Sequence, residues 1–416
     1  MSPRTRLRAT LATFAVAGLG LTTAACNLTV AGHQIGGGSD AGTHTRAAAP
    51  GPVQSPSPSP VKSAATITSN LPQHGTVPVD KTVALTAHDG TLTGVQVTYG
   101  TKHATLPGKL SADGSTWTAG APLEPGVRYQ VHAAAKDAKG IPTMKRSSFR
   151  SDPLTLDQQT FPSIYPLEGQ TVGVGMPVIV KFDVPVTDHA SIERHLHVVS
   201  TPHQVGSWHW ISDNEVHWRP KHYWRAGSTV TVNANIDSVP AGNGIYGQLS
   251  RSATFHVGPR MIDRINLNTD HMKVYRDGTL LRTIPVSGGM PGFLTRSGTK
   301  VIIEKDRHIR MTSASIGITD KNSPNYYNLP VDYAMRVTFS GEFLHAAPWQ
   351  GNNHGVANVS HGCVGMSTAD AAWLFNRSEV GDVVQVTGSH RYMTLTNGYG
   401  DWNESFAQYK QGSALH

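Results

Sequence analysis

The stretch from His345 to Met366 reads HAAPWQGNNHGVANVSHGCVGM, and the rest of the chain is understood from it. It holds three histidines (His345, His354, His361), four glycines and one cysteine, Cys363, inside Ser360-His361-Gly362-Cys363. A cysteine and a histidine brought together in a glycine-rich loop can form a thiolate–imidazolium pair, which is a nucleophile at neutral pH. Gly362 and Gly365 let backbone approach a bound carbonyl closely. Just beyond, Ser367-Thr368-Ala369-Asp370 has the pattern of an N-cap and capping box opening a short helix through about Phe375. A helix N-terminus there is expected to lower the thiol pKa and to offer N–H groups to an oxyanion. His345 follows the strand-like run Glu342-Phe343-Leu344 and is the candidate general base. No acidic residue follows it in the loop, so a backbone carbonyl is its candidate orienting group. His361, two residues from the cysteine in a tight turn, is expected to shape the loop by hydrogen bonding. The bland alternative for Cys363 is a small buried hydrophobe. A metal alternative would ligate zinc with His345, His354, His361 and Cys363. Their spacings match no common zinc signature and no His-Glu-x-x-His is present, so no metal is expected.

Around this loop, residues 259–388 read as mostly β with one short helix. Met272-Lys273-Val274-Tyr275 and Leu280-Leu281-Arg282-Thr283-Ile284 flank Arg276-Asp277-Gly278, a hairpin signal. Lys300–Ile303, Met335–Phe339 and Gly381–Val386 are further strand-like runs. Upstream, residues 66–258 look like two related β-modules, 66–152 and 153–258. Trp117 is followed by Gly126 and Trp218 by Gly227 at the same spacing, and each module opens with a Pro-x-x-Gly turn, Pro72–Gly75 and Pro166–Gly169. Short alternating runs such as Val178–Phe182 support a pair of Ig-like sandwiches serving as a stalk. Aromatics and histidines of the second module (Trp208, His209, Trp210, Trp218, His222, Tyr223, Trp224) are mainly core; a glycan-binding face is the other use they allow. After Gly388, residues 389–416 carry Tyr392, Tyr399, Trp402, Phe406 and Tyr409, an aromatic tail expected to pack back on the folded part.

The first 25 residues carry three arginines, then a mainly apolar run from Leu11 to Leu21, then small residues: a secretory signal, too short for a transmembrane helix. Residues 26–65, with Ser55-Pro56-Ser57-Pro58-Ser59-Pro60, cannot bury a core and read as a disordered tether. The formal charge of +7 includes Arg4, Arg6 and Arg8 of the signal, leaving +4 on the mature chain, which suits an anionic envelope surface. No basic run is interleaved with aromatics, so no nucleic-acid partner is expected. Of the two cysteines in 416 residues, Cys26 ends the signal; if it is modified, Cys363 is left as a free thiol in an exported protein without disulfides.

Two resemblances sharpen this. Thr23-Ala24-Ala25-Cys26 resembles a bacterial lipobox, whose cysteine becomes a lipid-modified N-terminus, with Thr23 where leucine is usual; plain cleavage nearby and secretion is the other option. His345, a spacer containing Trp349, and Ser360-His361-Gly362-Cys363 resemble the active-site signature of the L,D-transpeptidases (the YkuD-type catalytic domain). With the lipobox and two-module stalk, the chain resembles the actinobacterial multidomain lipoprotein members with tandem Ig-like domains.

The resemblance implies an acyltransferase that forms 3→3 cross-links between peptidoglycan stem peptides without a cofactor. Cys363 would attack a tetrapeptide stem and release D-Ala, with His345 as base oriented by the carbonyl of Ala346. N–H groups of Gly362 and Cys363 would form the oxyanion hole, and Ser360 and His361 belong to the same motif. Met311 and Tyr327 would line the substrate pocket beneath a lid at about 305–330, Trp349 its other side. Gly365 stands where the family commonly has Asn or Arg, a position read as touching donor substrate. Carbapenem-type β-lactams are implied as covalent inhibitors, and the outer face of the cytoplasmic membrane, through a lipid anchor, as the location. A cysteine L,D-carboxypeptidase or endopeptidase, and a wall-binding structural lipoprotein with an inactive catalytic unit, are the alternatives.

Overall fold

The computed structural model describes residues 61–72 and 74–415. The secretory segment, most of the tether and Cys26 lie outside the described residues. Ser63–Ala65, placed in the tether by composition, already belong to the first module. Ser63 Oγ donates to Ile141 O at 2.8 Å, Ala64 N–H to Asp137 Oδ2 at 3.1 Å, and Ala65 is buried. Two hydrogen bonds to residues more than seventy positions away and a buried methyl order a stretch whose composition reads as linker.

The chain is mainly β. In the first module, strands Thr66–Ser69, Ala84–His88, Thr116–Ala119 and Gly108–Leu110 form one sheet. Ala104–Thr105, Thr91–Tyr99, Arg128–Lys136 and Pro142–Arg150 form the other. The second module repeats the plan with two four-stranded sheets and a small three-stranded one. The repeat seen in the sequence has a packing cause. Trp117 and Trp218 lie in the core at 5% and 7% exposure. In each module a glycine of the neighbouring strand, Gly108 or Gly206, lies so close under the indole that a Cβ would fall within 2.1 or 2.2 Å of the ring. Gly126 (φ 69°) and Gly227 (φ 78°) then turn the chain into the next strand with a backbone only glycine adopts cheaply. Trp208 and Trp224 are also core residues. His222 is exposed, and Tyr223 meets Trp402 edge-on at 4.5 Å.

The third unit has two sheets. A five-stranded one runs Thr279–Pro285, His271–Arg276, Met261–Asn266, Val383–Thr387, Gly298–Val301. Its hairpin turns at Asp277 and Gly278, both at positive φ, as the sequence requires for a two-residue loop. A four-stranded one runs Glu304–Thr312, Asn328–Arg336, Phe343–Ala346, Val364–Met366. The helix Thr368–Phe375 packs its Ala371 and Leu374 into the core, capped by Ser367 Oγ accepting from Asp370 N–H at 3.1 Å. This unit and the second module share one core cluster, since Ile262 and Val383 pack with Val174, Met176 and Trp224.

The aromatic tail lies across that junction. Ser297 N–H donates to Arg391 O and Met393 N–H to Ser297 O. Trp402 Nε1 donates to Gly175 O at 2.7 Å. The buried Arg219 guanidinium stacks over Trp402 and Tyr409, 4.8 and 4.3 Å from the ring centroids.

Candidate active site

His345 and Cys363 reach one pocket because their strands are neighbours. Phe343–Ala346 and Val364–Met366 pair in parallel, Leu344 opposite Val364 and His345 opposite Gly365. Parallel neighbours need a crossover, and here it is the glycine-rich loop itself, from Ala347 to Cys363. The pocket is a cavity of about 330 Å³ lined by His345, Cys363, Ser360, His361, Met311, Tyr327, Trp349 and Gln350, among others. Met311 and Tyr327 come from the long hairpin Glu304–Thr312/Asn328–Arg336 and the segment between its strands, which folds over the loop. His361 Nε2 donates to Asn325 Oδ1 at 3.2 Å, and its ring lies 5.2 Å from Tyr327 and 4.7 Å from Phe293. His361 therefore joins the lid to the cysteine loop.

The histidine is set up as an acceptor. His345 is 4% exposed and its Nδ1–H donates to Ala346 O at 2.7 Å, so Nε2 carries the lone pair. Trp349, half exposed, lies beside the ring at 5.9 Å, 24° from parallel. Burial pushes the imidazole down to about 4 and the Cys363 thiol up to about 12. The thiol donates to Gly341 O at 3.6 Å. The resting pair is therefore thiol and neutral imidazole, and the expected dipole-lowered thiolate is not found. The strand Val364–Met366 separates the sulfur from the helix, and burial outweighs what reaches it.

Two further positions differ from expectation. Gly362 N–H, expected in the oxyanion hole, is engaged by Ser360 Oγ at 3.0 Å, whose hydroxyl donates in turn to Cys363 O at 2.6 Å. Gly365 does not line the pocket. It is buried in its strand, and a Cβ there would fall 2.1 Å from Gln350 Oε1 and 2.7 Å from the Ala347 methyl. Gln350, 8% exposed, fills the space a side chain at 365 would occupy, and it does line the pocket. The missing side chain thus has a substitute from a residue read only as spacer.

The three loop histidines do not converge. His354 Nε2 donates to Gln350 Oε1 at 3.2 Å, while His345 and His361 are held by Ala346 and Asn325. Among the described residues no three His, Cys, Asp or Glu side chains come together as a metal site. Sequence reasoning missed the residues that brace the loop. Thr295 Oγ1 donates to Gly362 O at 2.9 Å and accepts from Gly289 N–H, and Ser287 Oγ donates to Ala357 O. Their partners lie far along the chain, and no local spacing marks them.

Comparison with known proteins fits this geometry. Residues 263–386 match the L,D-transpeptidase catalytic domain, and residues 74–240 the bacterial Ig domain. L,D-transpeptidase 2 of Mycobacterium tuberculosis is 33% identical over 339 residues, which is 81% of this chain and 82% of the relative. The chain belongs to the L,D-transpeptidase family. L,D-transpeptidase 5 of the same organism is 31% identical, over 74% of this chain and 68% of its own length. Among solved structures, L,D-transpeptidase 3 of M. tuberculosis, in complex with a faropenem-derived adduct, is 34% identical. The match covers 54% of this chain and 97% of that one, with a TM-score of 0.46. Membership in the L,D-transpeptidases makes the chain an acyltransferase with Ig-like modules ahead of its catalytic domain.

Proposed function

We propose that this enzyme forms 3→3 peptidoglycan cross-links through an acyl-enzyme on Cys363. The observation that carries the mechanism is the shared pocket of Cys363 and His345, with His345 Nε2 left as acceptor by the Ala346 bond. A tetrapeptide stem enters beneath the lid, against Met311, Tyr327 and Trp349, with Gln350 as a polar contact in place of a side chain at 365. Cys363 Sγ attacks the carbonyl before the terminal D-Ala, and its proton passes to His345 Nε2. Because the resting pair is neutral, proton transfer accompanies attack rather than preceding it. The oxyanion is met by the Cys363 N–H, Gly362 N–H being free only if Ser360 releases it. The C–N bond breaks, His345 returns the proton to the departing amine, and D-Ala leaves with the stem held as a thioester. An acceptor-stem amine then attacks the thioester, giving up a proton through His345, and Cys363 leaves as thiol.

Incubation with a carbapenem followed by mass spectrometry tests this. The expected product is a covalent adduct on the Cys363 peptide, absent in Cys363→Ala; a folded protein that forms no adduct overturns the scheme. Transfer of the acyl group to water instead of an amine would make a carboxypeptidase, and labelled-acceptor incorporation separates the two. The wall location is part of the same proposal: Cys26 carries lipid and residues 27–62 tether the catalytic unit. Metabolic labelling with palmitate should mark the wild type and not Cys26→Ala.

A further inference from the structure

Next to the nucleophile lies a buried ion triad that the scheme above does not use. Lys300, in the strand Gly298–Val301, is 1% exposed, and its ammonium meets Glu342 Oε2 at 2.5 Å. Glu342 is 4% exposed, and its other oxygen accepts from Arg296 Nη1 at 2.7 Å and from Arg296 backbone N–H at 3.2 Å. Two basic groups share one carboxylate: burial pushes the Lys300 ammonium down and Glu342 pushes it back up, while Arg296 is only partly buried. Such groups are costly to bury, and well-packed hydrophobes in their place are often as stable or more so. Stability alone is then a weak reason for the triad.

Its position supplies a better one. Glu342 ends the tight turn between the strands Asn328–Arg336 and Phe343–Ala346. There it accepts from Val337 N–H at 2.9 Å through its carbonyl and donates its own N–H to Thr338 Oγ1 at 2.9 Å. The residues on either side of it hold the sulfur: Gly341 O accepts from the Cys363 thiol, and Phe343 N–H points at the same atom. From the other direction, the Glu342 side chain packs under Gly362, its Cγ 3.8 Å from where a Cβ there would stand. The carboxylate therefore ties the turn that grips the thiol to Lys300 and Arg296, and Thr295, next to Arg296, donates to Gly362 O in the loop that presents the thiol.

We infer that Lys300, Glu342 and Arg296 are positioning residues for acyl transfer. Glu342 fixes the turn that holds Sγ, and its pairing with Lys300 and Arg296 offsets the carboxylate charge that would otherwise oppose negative charge building on the sulfur. Among the other groups acting on the sulfur, Arg336 is the cation. His345 is neutral and Tyr327, from the lid, is uncharged, its phenol pushed up by burial. His361 is likewise pushed down by burial. Arg336 acts on the thiol from the lid strand but spends its guanidinium on Glu304 at 3.0 Å. Of the charges felt at Cys363, Glu342 raises the thiol pKa, and Lys300 and Arg336 lower it.

This inference rests on Cys363 as nucleophile, so its test reads the thiol apart from turnover. Iodoacetamide alkylation of Cys363 is followed against pH, with melting curves in parallel, in wild type, Lys300→Met, Glu342→Gln and the double variant Lys300→Met/Glu342→Met. The single variants change the local charge in opposite senses, and the double variant removes the two opposing charges together. The apparent thiol pKa is expected to rise by about half a unit or more in Lys300→Met and to fall by a similar amount in Glu342→Gln. It should return towards the wild-type value in the double variant. Arg296→Met, at the exposed end of the triad, is expected to shift in the sense of Lys300→Met, and decides the matter if the core variants do not fold. Alkylation profiles that coincide with wild type, or that all shift one way in step with lost stability, overturn the inference. Absence of a carbapenem adduct on the wild type instead removes the acyl-enzyme scheme, and the two failures are read independently.

Discussion

His345 and His217 are buried to nearly the same degree, 4% and 2%, and their surroundings drive them to opposite charge states. His345 has one neutral partner, the Ala346 carbonyl, and burial takes its pKa to about 4. His217, at the junction of the second module with the C-terminal tail, lies between Asp401 Oδ1 at 2.9 Å and Glu215 Oε1 at 2.7 Å. Burial opposes its charge too, but Asp401 and then Glu215 outweigh it and raise the pKa to about 9. Tyr409 OH donates to Asp401 as well, at 2.9 Å. A neutral ring with a free Nε2 can take a proton; a ring held by two carboxylates can only keep one. One histidine is available for chemistry, and the other fastens the tail to the stalk.

The sharpest way to break this contrast is to remove each ring in turn. His345→Ala is expected to slow carbapenem acylation by roughly 10²- to 10⁴-fold, the usual range for a lost general base, with the chain still folded by circular dichroism. His217→Gln should do the reverse. It leaves the buried Asp401 carboxylate without its cationic partner, the Tyr409 hydroxyl still donating to it, a loss of roughly 3–5 kcal/mol in denaturant unfolding, while Cys363 alkylation in the folded protein stays at the wild-type rate. Acylation lost in both, or stability lost in both, would remove the distinction.

The pH dependence separates the two rings by sign. The stabilisation from His217, whose pKa is raised on folding, is fully present below about 6.5 and is lost as pH rises through about 9. His345, whose pKa is depressed, acts oppositely: its contribution is present above about 6.5 and is lost as pH falls through about 4. Melting temperature against pH should therefore fall on both sides; His217→Gln should flatten the alkaline side and also alter the acid side, because His217, against burial, holds the Asp401 and Glu215 carboxyls below their usual range.

Next in size is Gly365→Asn. It drives a side chain into Gln350 and is expected to cost about 1–3 kcal/mol by overpacking, relieved when Gln350→Ala is added; additive losses in the double variant would refute the exchange of space between 365 and 350. A further effect, confined to one end of the pH range, belongs to Asp263, whose carboxylate oxygens have no hydrogen-bond partner and whose pKa burial lifts to about 7. Such a group loses stability as pH rises from about 3.9 through that value. Asp263→Asn should therefore raise the melting temperature at pH 8 and leave it nearly unchanged at pH 4, measured by differential scanning fluorimetry.

What could be read in advance follows the length scale of the cause. The Asp277-Gly278 hairpin, the Ser367 cap and the Trp–Gly repeat are each set by residues a few positions apart, and each is found in the fold. The cysteine loop was legible because its chemistry is concentrated in one run. For the lid, the resemblance implies a cover at about 305–330 and not the two strands that form it. Its strand Glu304–Thr312 carries Lys305, Asp306, Arg307, His308 and Arg310 with neither face deeply buried, so no two-residue alternation marks it. Lys300 reads as a solvent-facing lysine because its partner is 42 residues away, and His217 meets Asp401 across 184. Gln350 was hidden in a spacer, since only the fold shows that it answers for Gly365.

The lid strand Asn328–Arg336 is also the neighbour of the strand that carries His345, the two joined at Met335–Leu344 and Arg336–Phe343. The hairpin is thus a lever with its pivot built into the sheet of the general base. Lifting its tip at Asn325–Tyr327 would break the His361–Asn325 hydrogen bond and take Tyr327 off the pocket, while the strand pairing at the other end holds the base in its sheet. A reporter attached near Asp320 would register the comings and goings of substrate without displacing the chemistry it reports on.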